Sequence, residues 1–264
     1  MQPLALVGNL SFDLIDGGPP RVGGAPFHCA RALRLLEARA TIVARCGRGD
    51  EPVFRRAFAE LGLPVTLVPG TVTTTFGITY DGDDREMTVE HHGDVWSPDD
   101  VAGVPAGGWV HVAPLLDGDF PVETLAALAH GRRVSYDGQG LTRPRKLGSM
   151  RLEAEHDPDL LRHVAVLKLA EEEAEALVGG VDVDALAGLG PPEVLVTFGS
   201  DGTLVIANGR AERVRAHHVD ADPTGSGDAF STAYVAARAT GQAPVAAARR
   251  ATALVNLMLR QRRA

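Results

Sequence analysis

The chain has 264 residues, 45% hydrophobic and only 5% aromatic, with 30 glycines; that is enough apolar material to bury the core of one large α/β domain and excludes a disordered chain. Lys plus Arg number 26 against 34 Asp plus Glu, a net charge of −8, which argues against a nucleic-acid partner because phosphate backbones demand clustered cations. No stretch approaches the ~18 consecutive apolar residues of a membrane span, the start lacks the pattern of a secretory signal, and Cys29 and Cys46 fit neither a disulfide framework nor zinc spacing. No membrane is expected as a partner, and a cytoplasmic protein with both thiols reduced is.

In chain order, PLALVG reads as an opening strand, followed by NLSFDLID and the turn-rich GGPPRVGG. From Ala25 to Glu37, Cys29, Ala32, Leu33 and Leu36 recur at helical spacing and make one apolar face. ATIVAR is a strand, EPVFRRAFAELG a helix and PVTLV a strand, the alternation that builds a parallel sheet covered on both faces. TVTTTFGITY and REMTVEH, joined by GDD, predict an antiparallel hairpin. A hairpin alone is marginal in water, so NLSFDLID is expected to pair with it in a small second sheet. Alternation then resumes: strand GWVHVAP, helix ETLAALAHG, strands RRVSYD and HVAVLKL, helix EEEAEALVG and strand EVLVTF. TLVIAN and AERVRAH flank a turn at Asn208 and Gly209 before a helix from GDAFSTAYVAARATG and a last one from Pro244 to about Arg260.

The strongest chemical signal is VDADPTGSGDAFSTAYVAARATG, residues 219–241. Gly225 and Gly227 bracket Ser226 where an extended segment turns into a helix, so backbone N–H groups can point from the helix N-terminus without obstruction and form an anion cradle. Asp228, in the first turn, either caps that helix or accepts a proton from a hydroxyl attacking a phosphoryl group held in the cradle. From the residues alone both readings stand. A dinucleotide-dependent oxidoreductase is disfavoured, because GNLSFD stands after the first strand where GxGxxG would be required.

DPTGSGD, with Asp222, Pro223 and Thr224 leading in, resembles the DTxGAGD signature of the PfkB family of carbohydrate kinases. VGGAPFHCARALRLLEARATIVARCGRGDE, residues 22–51, resembles the family's first signature, with Gly23 and Gly24 in front and Gly49 and Asp50 behind; His28 stands where the family usually has Asn. The resemblance runs over nearly the whole chain. It implies Asp228 as catalytic base and the backbone of Gly225, Ser226, Gly227 and Asp228 as anion hole. It implies Asn9, Asp13 and Gly24 as substrate contacts, and His28 as either a contact or a helix-face residue. VLKLAEEEAEAL resembles the family's KxNxxE segment with Ala170 in place of Asn, which implies Lys168 on the nucleotide side and Glu173 organising Mg²⁺. VTFGSDGTLV implies Thr197, Gly199 and Gly202 at an ATP pocket shared with Thr224. YDGQGLTR resembles the myo-inositol kinase-like branch, placing Gln139 and Arg143 at the cleft beside Asp137.

The expectation is therefore an α/β, ribokinase-like three-layer sandwich: one kinase domain over 1–264 with a central mostly parallel sheet and a small β lid from about 9–16 and 71–92. ATP and Mg²⁺ are the expected cofactors, a sugar or cyclic polyol resembling myo-inositol the expected small-molecule substrate, and a homodimer through the lid the expected assembly. A pentose, hexose or nucleoside acceptor is the alternative within the family. A non-catalytic polyol or nucleotide-binding homologue is favoured by the loss of Asn at 28 and 170 and opposed by Asp228. Arg85, on the hairpin, is a further candidate contact.

Overall fold

The computed structural model describes residues 3–81 and 84–263. Three strands come first, β1 (Leu4–Asn9), β2 (Ser11–Ile15) and β3 (Arg21–Gly23), and strands then alternate with helices: α1 (Ala25–Leu35), β4 (Thr41–Gly47), α2 (Glu51–Glu60) and β5 (Thr66–Gly70). A hairpin follows, β6 (Thr74–Asp81) and β7 (Asp84–His91). Then come β8 (Trp109–Ala113), α3 (Val122–Ala129), β9 (Arg133–Asp137), a short α4 (Gln139–Thr142), β10 (Gly148–Ser149), β11 (Val164–Ala170), α5 (Glu171–Val178), α6 (Val183–Gly188) and β12 (Glu193–Thr197). The last elements are β13 (Thr203–Ala207), β14 (Arg210–Val214), α7 (Ser226–Ala239) and α8 (Pro244–Arg263).

A nine-stranded sheet in the order β14-β13-β12-β11-β9-β8-β1-β4-β5 forms the middle layer. Strands from β5 to β12 run parallel, and β13 and β14 extend the sheet antiparallel. Period-two alternation divides each strand between two cores. Leu4 and Leu6 of β1 and Ile42 and Ala44 of β4 join one core with α1, α2, α7 and α8, while Ala5, Val7 and Val43 join the other with α3, α5 and α6. Three layers result, as expected. Helix α7 lies against both α1 and α8; its run of Ala, Ser and Thr is buried almost all round, which fits a helix enclosed by neighbours.

The small sheet has the order β10-β7-β6-β2-β3. β2 pairs with β6, in the parallel sense, and β6 pairs antiparallel with β7. Residues 82 and 83 of the expected GDD turn lie outside the described residues. The sheet is wider than the sequence predicts, because Arg21–Gly23 turns back on β2 and Gly148–Ser149 pairs with Val89 and Thr88. Phe76, Ile78 and Val89 pack its inner face on Leu115 and Leu116, whereas Thr75, Thr79, Glu86, Thr88 and Glu90 lie partly or fully exposed on the outer face. Among the described residues no helix is long and apolar enough to cross a membrane.

Gly24 joins the two sheets. It caps α1 with φ 92° and ψ 146°, and a Cβ there would lie 2.7 Å from both Leu10 Cα and Ser11 N. Only glycine allows the start of α1 to close onto the β1–β2 junction in this way.

Candidate active site

The site forms where the carboxyl ends of β9 and β11 meet the N-terminus of α7. Gly225, at φ 74°, is the left-handed residue before the helix. Ser226 N–H donates to the Pro223 carbonyl at 2.9 Å and Ala229 N–H to the Gly225 carbonyl at 3.0 Å. The N–H groups of Gly227 and Asp228 fall in the first turn and have no intrahelical acceptor, so they and the helix dipole form an electropositive cup. The preceding loop is folded on itself: Asp222 Oδ1 accepts from Thr224 N–H at 2.9 Å and from its hydroxyl at 2.6 Å. Ser226 Oγ is buried without a hydrogen-bond partner.

Five charged groups cluster beside the cup. Lys168, on β11, pairs with Asp137 at the end of β9 (3.4 Å), both almost wholly buried. Lys168 also lies under the cup, since a Cβ on Gly227 would be 3.1 Å from its Nζ. Burial acts to lower the Lys168 pKa, but Asp137, Glu173 and Asp228 more than offset it and hold the ammonium above its ordinary value. Burial pushes Asp137 upward, yet Lys168 and His111 keep it below the usual carboxylate range. Glu173 is raised by burial, with Asp137 adding to the shift and Lys168 and Arg143 opposing it. Asp228 is raised to about 7 by burial and by the charge of Asp137, again against Lys168 and Arg143. One carboxylate is thus kept ionised and a neighbour poised near neutrality, the division of labour that acid–base chemistry uses. Asp228 Oδ1 has no hydrogen-bond partner.

Several sequence-expected residues converge here and others do not. Arg143 follows α4 and interacts electrostatically with Asp137, Glu173 and Asp228. Gln139 starts α4, its N–H donating to Asp137 Oδ1 at 3.3 Å. His28, on α1, sets its ring against Gly225: a Cβ there would be 2.7 Å from Nδ1, an atom without a hydrogen-bond partner. Its pKa is lowered to about 4 by burial and then by Arg31 and Arg262, so the ring is neutral. Asp13 lies on β2 in the small sheet, accepting from Ser11 Oγ at 2.9 Å over Gly23. Asn9 is buried, and its Oδ1 accepts from Trp96 Nε1 at 2.8 Å, beneath a ring that stacks with Phe120 and carries Arg45 at 4.5 Å. Thr197 donates its hydroxyl to the Leu169 carbonyl at 3.2 Å, and Gly199 and Gly202 form the turn between β12 and β13 at the same carboxyl edge of the sheet. The Arg85 side chain lies outside the described residues.

Glu173 is fixed by its own helix start, Oε2 accepting from Ala170 N–H at 2.8 Å. Among the described residues no three His, Cys, Asp or Glu side chains converge as a metal cage. The carboxylates group around Lys168 instead. Such a set suits Mg²⁺ only where the substrate's phosphate oxygens supply most ligands and one or two carboxylates act directly or through water.

Asp137, expected at the cleft from the DGQG run, pairs with Lys168 beside the cup. Arg31 and Arg262 were not readable as site residues, because neither is the only arginine on its helix and Arg262 reaches the loop before the cup only through the packing of α8 on α7.

A sequence model described as pfkB family carbohydrate kinase matches residues 20–264. Among solved structures, a pyrophosphate-dependent kinase in the ribokinase family, complexed with a pyrophosphate analog and myo-inositol, superposes with a TM-score of 0.86 at 23% identity, over 97% of this chain and 95% of that one. A Burkholderia thailandensis nucleoside kinase in complex with inosine gives 0.76 at 20% identity over 97% and 90% of the two chains. A Vibrio cholerae O395 fructokinase in its fructose, ADP and calcium ion bound form gives 0.73 at 23% over 96% and 90%. At these identities the likeness is one of fold.

Proposed function

The chain belongs to the pfkB family of carbohydrate kinases, and from that membership we propose that it phosphorylates a hydroxyl of a cyclic polyol resembling myo-inositol, with Asp228 as the base. The observation that carries this reading is a buried carboxylate, free at Oδ1 and raised to about 7, in the first turn of a helix whose N-terminus forms an anion cup.

In the proposed reaction the acceptor lies beneath the small sheet, which acts as a lid within a single kinase domain. Asp228 takes the proton from the attacking hydroxyl, whose oxygen approaches the donor's terminal phosphorus in line. The N–H groups of Gly227 and Asp228 face the charge that spreads over the transferring oxygens. Lys168, held by Asp137, adds a fixed positive charge under the cup. Glu173 is the residue proposed to orient Mg²⁺ and its water, and the metal would neutralise donor phosphate charge. The lid keeps water from competing as acceptor.

Asp13, Gln139 and Arg143 support a polyol, since a ring of hydroxyls needs several fixed acceptors and donors and each buried one left unpaired costs about 1–3 kcal/mol. Myo-inositol is also the molecule with which one structural neighbour is described. ATP is the proposed donor, supported by the glycine turn between β12 and β13 at the site's edge and by the ADP described for the fructokinase neighbour. Pyrophosphate is the second reading, favoured by three neighbours described as pyrophosphate-dependent.

A matrix of ATP and pyrophosphate against myo-inositol, ribose, fructose and adenosine, with Mg²⁺, tests both choices by phosphomonoester formation. Myo-inositol is expected to give the highest kcat/KM, and adenosine as the best acceptor would remove the polyol assignment.

A further inference from the structure

The loop that delivers the cup is tied down by one side chain of the last helix, α8. Arg262, in the last turn of α8, donates through a single Nη1 to the carbonyls of both Asp222 (2.8 Å) and Thr224 (2.7 Å). Two carbonyls converging on one positive charge is the arrangement by which a loop holds a cation, and here the cation is part of the chain. Arg31 lies close by: burial lowers the Arg262 pKa, the like charge of Arg31 lowers it further, and Asp222 acts the other way. His28 stands one turn before Arg31 on α1 and fills the space against Gly225 as a neutral ring. The charges of Arg31 and Arg262 therefore act near the loop and near the ring that packs against Gly225, and the neutral imidazole adds none.

We propose that Arg262 is a positioning residue for phosphoryl transfer. By holding the Asp222 and Thr224 carbonyls, its guanidinium fixes the left-handed turn at Gly225, so that the Gly227 and Asp228 N–H groups point where the donor's transferring phosphoryl group arrives. Its charge, with that of Arg31, strengthens the field of α7 at that point. The ligand class concerned is a phosphoanhydride, shared by a nucleotide and by pyrophosphate. This inference rests on the kinase reading above and adds to it a residue that touches neither substrate.

The test compares wild type, Arg262→Ala and Arg262→Lys by calorimetric binding of ADP and of inorganic pyrophosphate, and by turnover of the best donor and acceptor pair with and without low-millimolar guanidinium chloride. For Arg262→Ala, donor-side binding is expected to weaken about 10-fold and kcat to fall about 10²-fold, the scale of a small misplacement of catalytic groups, with the acceptor KM unchanged. Arg262→Lys should recover part of the loss, and guanidinium should restore turnover to Arg262→Ala but not raise that of wild type. The ligand that binds wild type more tightly and loses more in Arg262→Ala, ADP or pyrophosphate, identifies the donor source. A folded Arg262→Ala protein with unchanged donor-side binding would overturn the proposal. So would a loss that raises acceptor KM as much as donor KM and resists guanidinium. Should Arg262→Ala not fold, the lysine variant decides: donor-side binding and turnover between zero and wild type support the proposal, and wild-type values overturn it. If wild type phosphorylates no acceptor, the functional reading fails by itself, and the binding comparison still decides the role of Arg262.

Discussion

Asp228 links sequence, burial and reactivity at the scale of one residue. A base must be ionised, and burial with Asp137 nearby raises its pKa to about 7, so kcat/KM should fall about tenfold per pH unit below that value. A profile flat down to pH 5 would contradict the assignment. The same shift bears on stability. Ionising a carboxyl whose folded pKa is raised works against the folded state; the cost is absent below the ordinary carboxylate pKa of about 4, grows as pH rises, and is complete above about 7. Asp228→Asn should therefore melt a few degrees higher than wild type at pH 8, and the difference should vanish below about pH 4. Scanning calorimetry at the two pH values measures both. Glu173→Gln keeps an oxygen for the Ala170 N–H, so it should fold normally while raising the Mg²⁺ concentration needed for half-maximal rate. An unchanged Mg²⁺ requirement would leave Glu173 as a helix-start residue only. The cup and Asp228 were legible because glycines, serine and aspartate are contiguous in sequence. The Lys168–Asp137 pair and the contact of His28 with Gly225 were not, because distances between remote segments exist only after the sheet has formed.

At the scale of elements, local patterning did most of the work. Strand alternation and helical spacing mark the parallel strands and the apolar faces of α1, α7 and α8. The misses are short. Arg21–Gly23 reads as part of a Gly/Pro turn and becomes a strand only because β2 is there to pair with. Gly148–Ser149 owes its strand character wholly to β7. Helix α6 has a readable start, Asp182 accepting from Ala185 N–H at 2.8 Å, but is too short to show a period. Gly24 carries the testable consequence at this scale. Gly24→Ala forces a side chain onto Leu10 and Ser11 at a backbone angle that favours glycine, so it should cost about 1–3 kcal/mol or more in denaturant unfolding. A loss near zero would mean that the β1–β2 junction shifts freely and does not fix the small sheet.

Across the whole molecule, strand order gathers the chemistry. β9, β11 and β12 end at one edge of the sheet, where α7 starts and the small sheet folds over, and this is where open α/β sheets take their ligands. The alternation of elements predicts a parallel sheet but not the order of its strands, and so it could not predict that Asp137 and Lys168 would be neighbours beside the cup. The polar outer face of the small sheet bears on assembly, since a lid-to-lid dimer would have to form through Thr75, Thr79, Glu86, Thr88 and Glu90; sedimentation velocity on wild type would decide whether it does. Asp228, as the proposed base, removes the acceptor's proton beside the cup. Phosphorus NMR of purified wild type and Asp228→Asn with Mg²⁺, donor and myo-inositol, alongside donor binding by calorimetry, tests this role. A phosphomonoester signal is expected to grow in wild type only when acceptor is present, and about 10²–10⁴-fold more slowly in Asp228→Asn although donor binding is retained. An Asp228→Asn protein that forms the phosphomonoester at the wild-type rate would contradict it.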